Sequence, residues 1–181
     1  LLGSLTMQEL DNITTPRVRL LNVGEEASKG SGVIKQAADL LRDEPLINYC
    51  GYVEGDGLFE GDTDVVVCDG FSGNVALKTS EGVARMINAM LKDLLASSWL
   101  TRLAELLMLA PLKLFKARLN PSEHNGAYLL GLNGVVIKSH GGADEVAFGH
   151  ALDVAIEAAK HNLPDVLSPI LQGKIDRNQT K

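Results

Sequence analysis

Asp69, Gly70, Gly73, Asn74 and Lys78 fall in one short stretch that directly follows three valines, Val65 to Val67. A β-branched run, apolar on both faces, reads as a central parallel strand buried on two sides. It halts at an Asp-Gly pair and passes into a helical pattern from Val75, giving a strand, a glycine-bearing turn and a helix N-terminus. Such a joint is concave and rich in backbone N–H groups that lack intrahelical partners. The helix dipole points the same way, so the joint favours an anion. Lys78, about one turn into the helix, can bring its ammonium back over the same place. Asp69 adds an acceptor and Asn74 an amide. The pattern also fits an ordinary strand–turn–helix joint with a solvated Asp and Lys, because glycine-rich turns between strand and helix are common.

Two further joints have the same form. Ser139, His140, Gly141 and Gly142 lie between a strand at Val135 to Lys138 and a helix from about Asp144 to His161. In open α/β sheets, ligands bind beyond the carboxyl ends of the strands. Asp69 and His140 occupy equivalent places on two strands and are expected to face one pocket. Adjacent Ser and His do not make a catalytic triad, since neighbours seldom orient toward each other, and His140 also reads as a satisfied turn histidine. Asn22, Gly24, Glu25 and Lys29 form the third turn. His124, His150 and His161 read as surface or helix-face residues.

The elements that must position these turns follow from periodicity. Arg17 to Val23 is a strand, and Val33 to Arg42 is a helix with Ile34, Ala37, Ala38 and Leu41 on one stripe. Pro45 marks a break, Leu46 to Cys50 is the next strand, and Gly51 to Asp62 is a glycine- and acid-rich loop. The valine strand and a helix from Val75 to Leu95 follow. Gly126 to Leu132 leads into the strand before His140. Val146, Ala147, Ala151, Val154, Ala155 and Ala158 form the buried stripe of the last helix. Alternating strands and helices predict an α/β fold, a mostly parallel sheet with helices on both faces, packed as one domain over residues 1–181.

A net charge of −6 argues against nucleic acid as a partner. Cys50 and Cys68 read as buried, reduced core residues of a cytosolic chain. No spacing of ligands suggests a metal, and no run of ~20 uncharged apolar residues is present to span a membrane. Leu1 to Asn12 lacks an initiator Met and reads as the end of a helix already under way, so the chain is expected to begin inside a longer protein.

Leu91 to Leu119 breaks the α/β rhythm. Leucines recur at helical spacing with Trp99, Met108 and Phe115 among them, more large apolar residues than one core stripe needs. Lys92, Arg102, Lys113, Lys116 and Arg118 against Asp93 and Glu105 give a local charge of +3. Pro111 is expected to break the segment into two helices. A hairpin packed on its own domain or on a dimer partner is one reading. A membrane-surface helix pair with apolar tips in lipid and Lys/Arg at the headgroups is the other.

RLLNVGEEASKG, DVVVCDGFSGNVALKTSEGVA and GAYLLGLNGVVIKSHGGAD, in this order, resemble the acyl-ACP:phosphate acyltransferase family of bacterial phospholipid synthesis, over about Gly3 to Leu171. The resemblance implies transfer of a fatty acyl group from acyl carrier protein to inorganic phosphate, without a cofactor. It implies a Rossmann-like three-layer α/β/α fold akin to phosphotransacetylases and to isocitrate and isopropylmalate dehydrogenases. It also implies a homodimer in the cytoplasm, in peripheral contact with the inner face of the membrane through a helical hairpin inserted at 91–119. Trp99, Leu103, Leu107, Leu109, Lys113, Phe115, Lys116 and Arg118 are its candidate membrane- or partner-binding residues. In that chemistry, backbone N–H groups at Gly70 to Asn74, or at Gly141 and Gly142, hold phosphate, and Lys78 offsets its charge. Asn74, His140 or a turn N–H donates to the tetrahedral oxyanion. Asp69, Asn74, Lys78 and His140 are the catalytic candidates. Ser139, Asn22, Gly24, Glu25 and Lys29 join the glycines as substrate-binding candidates. Two departures stand out. The family's N-terminal Asp-Ala-Met-Gly-Gly-Asp segment is absent, with the half around it, and Tyr128 stands where a Pro is usual. A dehydrogenase relative on the same superfold and a non-catalytic membrane or carrier-protein docking module are the alternatives. Against the dehydrogenase, no G-x-G-x-x-G follows a strand with an acid ~20 residues on.

Overall fold

The computed structural model of the chain describes residues 1–120 and 125–179. They form an α/β structure with seven α-helices and a parallel three-stranded sheet. The described residues fall into two compact units. One comprises Leu1–Gly70, Tyr128–Ile137 and Val154–Lys181, the other Phe71–Ala127 and Lys138–Asp153.

The first unit holds α1 (Leu2–Leu10), β1 (Arg17–Leu21), α2 (Gly32–Arg42), β2 (Asn48–Val53) and β3 (Val65–Val67). The sheet order is β2-β1-β3, so β1, not the valine strand, is the central strand. Val18 pairs with Tyr49 on one side and Val65 on the other, and Leu20 with Tyr52 and Val67. From Val18 to Leu20, β1 advances two residues while β2 advances three. The extra residue is absorbed beside Gly51, whose φ of +91° suits glycine at a bulge. β1 alternates: Val18 and Leu20 are buried, while Arg17 and Arg19 make ion pairs of 2.9 Å with Asp64 and Asp62. Arg17 holds Asp64 through Nε, Nη2 and its backbone N–H. That network depresses the Asp64 carboxyl to a pKa of about 2.

Ser31 caps α2 by accepting from the Ile34 N–H at 3.4 Å. The stripe expected on α2 is the one buried: Ala38 packs with Leu20 and Tyr52, flanked by Ile34, Ala37 and Leu41. A second cluster joins Leu5 of α1, Ala158 near the end of α6 (Glu145–Lys160), and Leu163 and Leu167 of α7 (Leu163–Gln179).

Several expectations are corrected. β3 is half-buried at best, with Val67 37 % exposed, because it lies at the sheet edge rather than between strands. Cys50 and Cys68 are both exposed, Cys50 on the outer strand β2 and Cys68 just past the end of the outer strand β3, where there is too little cover to make core. The expected strand at 46–50 runs later, to Val53, and a short 3-10 turn at Gly57–Phe59 interrupts the loop after it.

The second unit is dominated by α3 (Gly70–Ala96), α4 (Trp99–Leu107) and α5 (Leu109–Arg118). α3 starts at Gly70, not near Val75, so Gly73 and Asn74 are helical rather than part of a turn. Glycine in a helix costs only ~1 kcal/mol, too little to delay a helix of this length. α4 begins in a capping box in which Ser98 and Thr101 each bond the other's backbone N–H. The break between α4 and α5 is at Met108 (φ −106°, ψ 18°), not at Pro111, which sits in the first turn of α5 where it needs no N–H partner. β4 (Ala127–Tyr128) and β5 (Ile137–Lys138) form a two-stranded ribbon; β5 is shorter than the strand expected at Val135 to Lys138, and no strand is expected at β4. On α6, Ala147, Ala151 and Ala158 are buried as expected, but Val146 is exposed, because Ala147 takes the inward position. Among the described residues, no helix is long and apolar enough to cross a membrane.

Candidate functional site

Two of the three turns expected to carry chemistry contribute to one cluster in the second unit. Lys78, in the third turn of α3, places its Nζ 2.8 Å from Nε2 of His140, 62 residues away. Glu81, one helical turn on, lies against both: Oε2 is 3.3 Å from Lys78 Nζ and Oε1 is 3.6 Å from His140 Nε2. Arg85 Nη1 approaches the same carboxylate at 3.8 Å. Glu81 is the most covered of the four, its side chain 20 % exposed against 52 % for Lys78, 49 % for His140 and 68 % for Arg85. The cluster is open on the cationic side and closed on the carboxylate side.

His140 is fixed through its backbone as well as its ring. Asn125, buried, accepts from the His140 N–H at 2.8 Å through Oδ1. Its Nδ2 donates to Ser139 Oγ at 2.9 Å and to the Ala147 carbonyl at 2.7 Å. One amide thus ties the Ser139–His140 peptide to the first turn of α6. Asp144 caps that turn, accepting from the Ala147 N–H at 2.8 Å. The Gly142 N–H donates to Nδ1 of His140 at 3.1 Å. Nδ1 as acceptor leaves the ring proton of a neutral imidazole on Nε2, yet the ammonium of Lys78 also needs a bare Nε2. The two contacts compete for one lone pair.

The other expected site residues stand as follows. Gly73 and Asn74 lie on the first turns of α3, with Asn74 exposed, and Gly141 and Gly142 are exposed in the turn after His140. Asp69 and Gly70 close the first unit. Asn22 and Gly24 serve their own turn. The Asn22 N–H extends the ladder to Val53 at 3.0 Å, and its Nδ2 donates to the Gly24 carbonyl at 2.9 Å. Its Oδ1 is buried with no hydrogen-bond partner among the described residues and rests against Gly30, which has a φ of +83°. A side chain at Gly30 would collide with that amide. Glu25 and Lys29 are exposed in the same turn. Trp99, Leu103, Leu107, Leu109, Lys113, Phe115 and Lys116 are all exposed on α4 and α5. The Arg118 side chain and His124 lie outside the described residues. Sequence reasoning missed Glu81, Arg85 and Asn125. Glu81 and Arg85 follow Lys78 at helical spacing, a usable signal. Nothing in the sequence marks Asn125, whose partners are 14 to 22 residues away.

The chain matches the family described as "Fatty acid synthesis protein" over residues 1–166. It is 50% identical over 179 residues to a phosphate acyltransferase of Nitrosococcus oceani, covering 99% of this chain and 52% of that protein. A phosphate acyltransferase of Alcanivorax borkumensis is 50% identical over 171 residues, 94% of this chain and 51% of that protein. One of Legionella pneumophila is 49% identical over 166 residues, 92% of this chain and 48% of that protein. The chain spans about half the length of these curated relatives. All three quoted motifs and the Lys78–His140 cluster fall inside the matched residues, and the chain belongs to the fatty acid synthesis protein family.

Proposed function

We propose that the intact protein transfers a fatty acyl group from acyl carrier protein to inorganic phosphate, giving an acyl phosphate for phospholipid synthesis. The carrying observation is the 2.8 Å approach of Lys78 to His140, which joins two of the three family motifs at one cationic, solvent-open cluster. A phosphate oxygen attacks the thioester carbon and the carbonyl electrons move to oxygen. Collapse of that oxyanion breaks the C–S bond and releases the carrier's thiolate. Lys78 offsets the phosphate charge, with the Gly141 N–H as a further donor. His140 or Asn74 donates to the oxyanion. Ser139, on the same turn as His140, completes the substrate side, and the chain is read as a Rossmann-like three-layer fold. Cys68 is a poor candidate for a covalent route. Partial burial of its sulfur and the Asp69 charge push the thiol up, so little thiolate is present at neutral pH.

The exposed apolar residues of α4 and α5, with Lys113 and Lys116 beside them, support a cytoplasmic homodimer that touches the inner face of the membrane. The test is formation of acyl phosphate, followed by ³¹P NMR, from acyl carrier protein thioester and inorganic phosphate. The intact protein is expected to form it and to lose phosphate dependence in Lys78→Ala. The 181-residue chain alone is expected to turn over slowly or not at all. An intact protein that consumes no phosphate in the presence of acyl carrier protein thioester defeats the reading.

A further inference from the structure

We infer that Glu81 is a positioning residue that holds Lys78 against His140 and competes with phosphate for the same cations, an inference that rests on the reading of this cluster as the phosphate site. Its carboxylate lies within 4 Å of all three basic side chains: Lys78 at 3.3 Å, His140 at 3.6 Å and Arg85 at 3.8 Å. It is the least exposed group of the four and sits on α3, the same rigid helix as Lys78 and Arg85. Lys78 has four rotatable bonds and a half-exposed side chain. Left alone, it would sample solvent rather than stay beside an imidazole that already accepts from Gly142. A carboxylate on its inner side supplies the restraint. It also cancels part of the charge that an incoming phosphate would seek. Glu81 therefore acts in opposite senses: it weakens phosphate binding while keeping Lys78 and His140 in register for reaction. A purely structural ion pair on a helix surface does neither.

The opposite signs make the test. In the intact protein, Glu81→Gln keeps the shape and removes the charge. Phosphate is expected to bind roughly two- to five-fold more tightly, the range for one partly exposed ion pair. At saturating phosphate, kcat is expected to fall about ten-fold or more as Lys78 leaves its register. The His140 ring ¹⁵N resonances should move without phosphate present. Glu81→Asp keeps the charge but shortens the reach, so it should lower kcat with little change in phosphate affinity. Damage to the fold gives weaker binding together with slower turnover, not tighter binding with slower turnover. That result in both variants overturns the inference. Lys78→Ala, measured in parallel, separates the two levels. If it weakens phosphate binding while Glu81→Gln changes neither affinity, kcat nor the His140 signals, the positioning role is wrong and the phosphate site stands. If neither variant alters phosphate binding, the site reading fails and takes the inference with it.

Discussion

The sheet unit and the helical unit bury their residues very differently. Around β1, Val18 is 1 % exposed and Leu20 3 %, and their strand is locked to its neighbours by ladders and two ion pairs. α3, the longest helix, contains no buried residue, and Phe71, Met90 and Leu94 stand open along it. The candidate chemistry lies on the second kind of surface. The first unit derives its stability from close packing. The second positions its polar groups with hydrogen bonds and charge, through Asn125, Gly142 and Glu81. Loss of a side chain is therefore expected to be felt as stability in one unit and as activity in the other.

The sharpest way to break this contrast is a pair of truncations. Leu20→Ala should cost about 2–5 kcal/mol of unfolding free energy in a urea titration. Met90→Ala, exposed on α3, should stay within about 0.5 kcal/mol. Equal costs would erase the distinction between the units. Next in size, His140→Ala in the intact protein should reduce kcat by roughly 10- to 1000-fold, the range for losing one donor to an oxyanion, with an unchanged melting temperature. Near-normal turnover would return His140 to a turn residue. Asp64 tests the sheet unit by pH. Its folded pKa, about 2, lies below the ordinary 3.8, so the stabilisation is fully present above pH ~4 and is lost as pH falls through ~2. Asp64→Asn should cost about 1–2 kcal/mol at neutral pH, with the gap to wild type closing toward pH 2. A constant gap would deny the ion pair its role. The smallest effect on stability is expected on α4 and α5. Leu107→Glu with Leu109→Glu should leave the protein folded in buffer but abolish flotation with anionic vesicles. Lys113→Ala with Lys116→Ala should only weaken flotation and its salt sensitivity. If the Glu pair dissociates or unfolds the protein without lipid, these leucines serve subunit packing instead.

Local rules found the local features. The α2 stripe, most of the α6 stripe and the start of β1 were legible because each depends on periodicity within one element. Lys78 and His140 were legible as candidates because each sits at a strand–turn–helix joint, though nothing in the spacing placed one against the other. What the sequence hid was non-local. Three valines look alike at the centre or the edge of a sheet, and the strand order that puts β3 outside depends on pairing with β1, 47 residues earlier in the register. The buried reading of Cys50 and Cys68 failed with it, since an edge covers less than a centre. Gly70 and Gly73 looked like helix breakers, but the length of α3 outweighs their modest penalty. Asn125 was invisible because a buried amide gains its meaning only from the carbonyl and hydroxyl it meets.

The position of β3 has a practical consequence for handling the 181-residue chain. Among the described residues no strand lies beyond it, and its valines carry no charge to discourage an approaching neighbour. An open, β-branched rim of this kind is a template on which a second chain can add a strand and a third can follow. Self-association of the isolated chain should therefore rise with protein concentration and with high salt, as intermolecular β-structure. A Val67→Lys substitution, which places a charge on that rim, should suppress it.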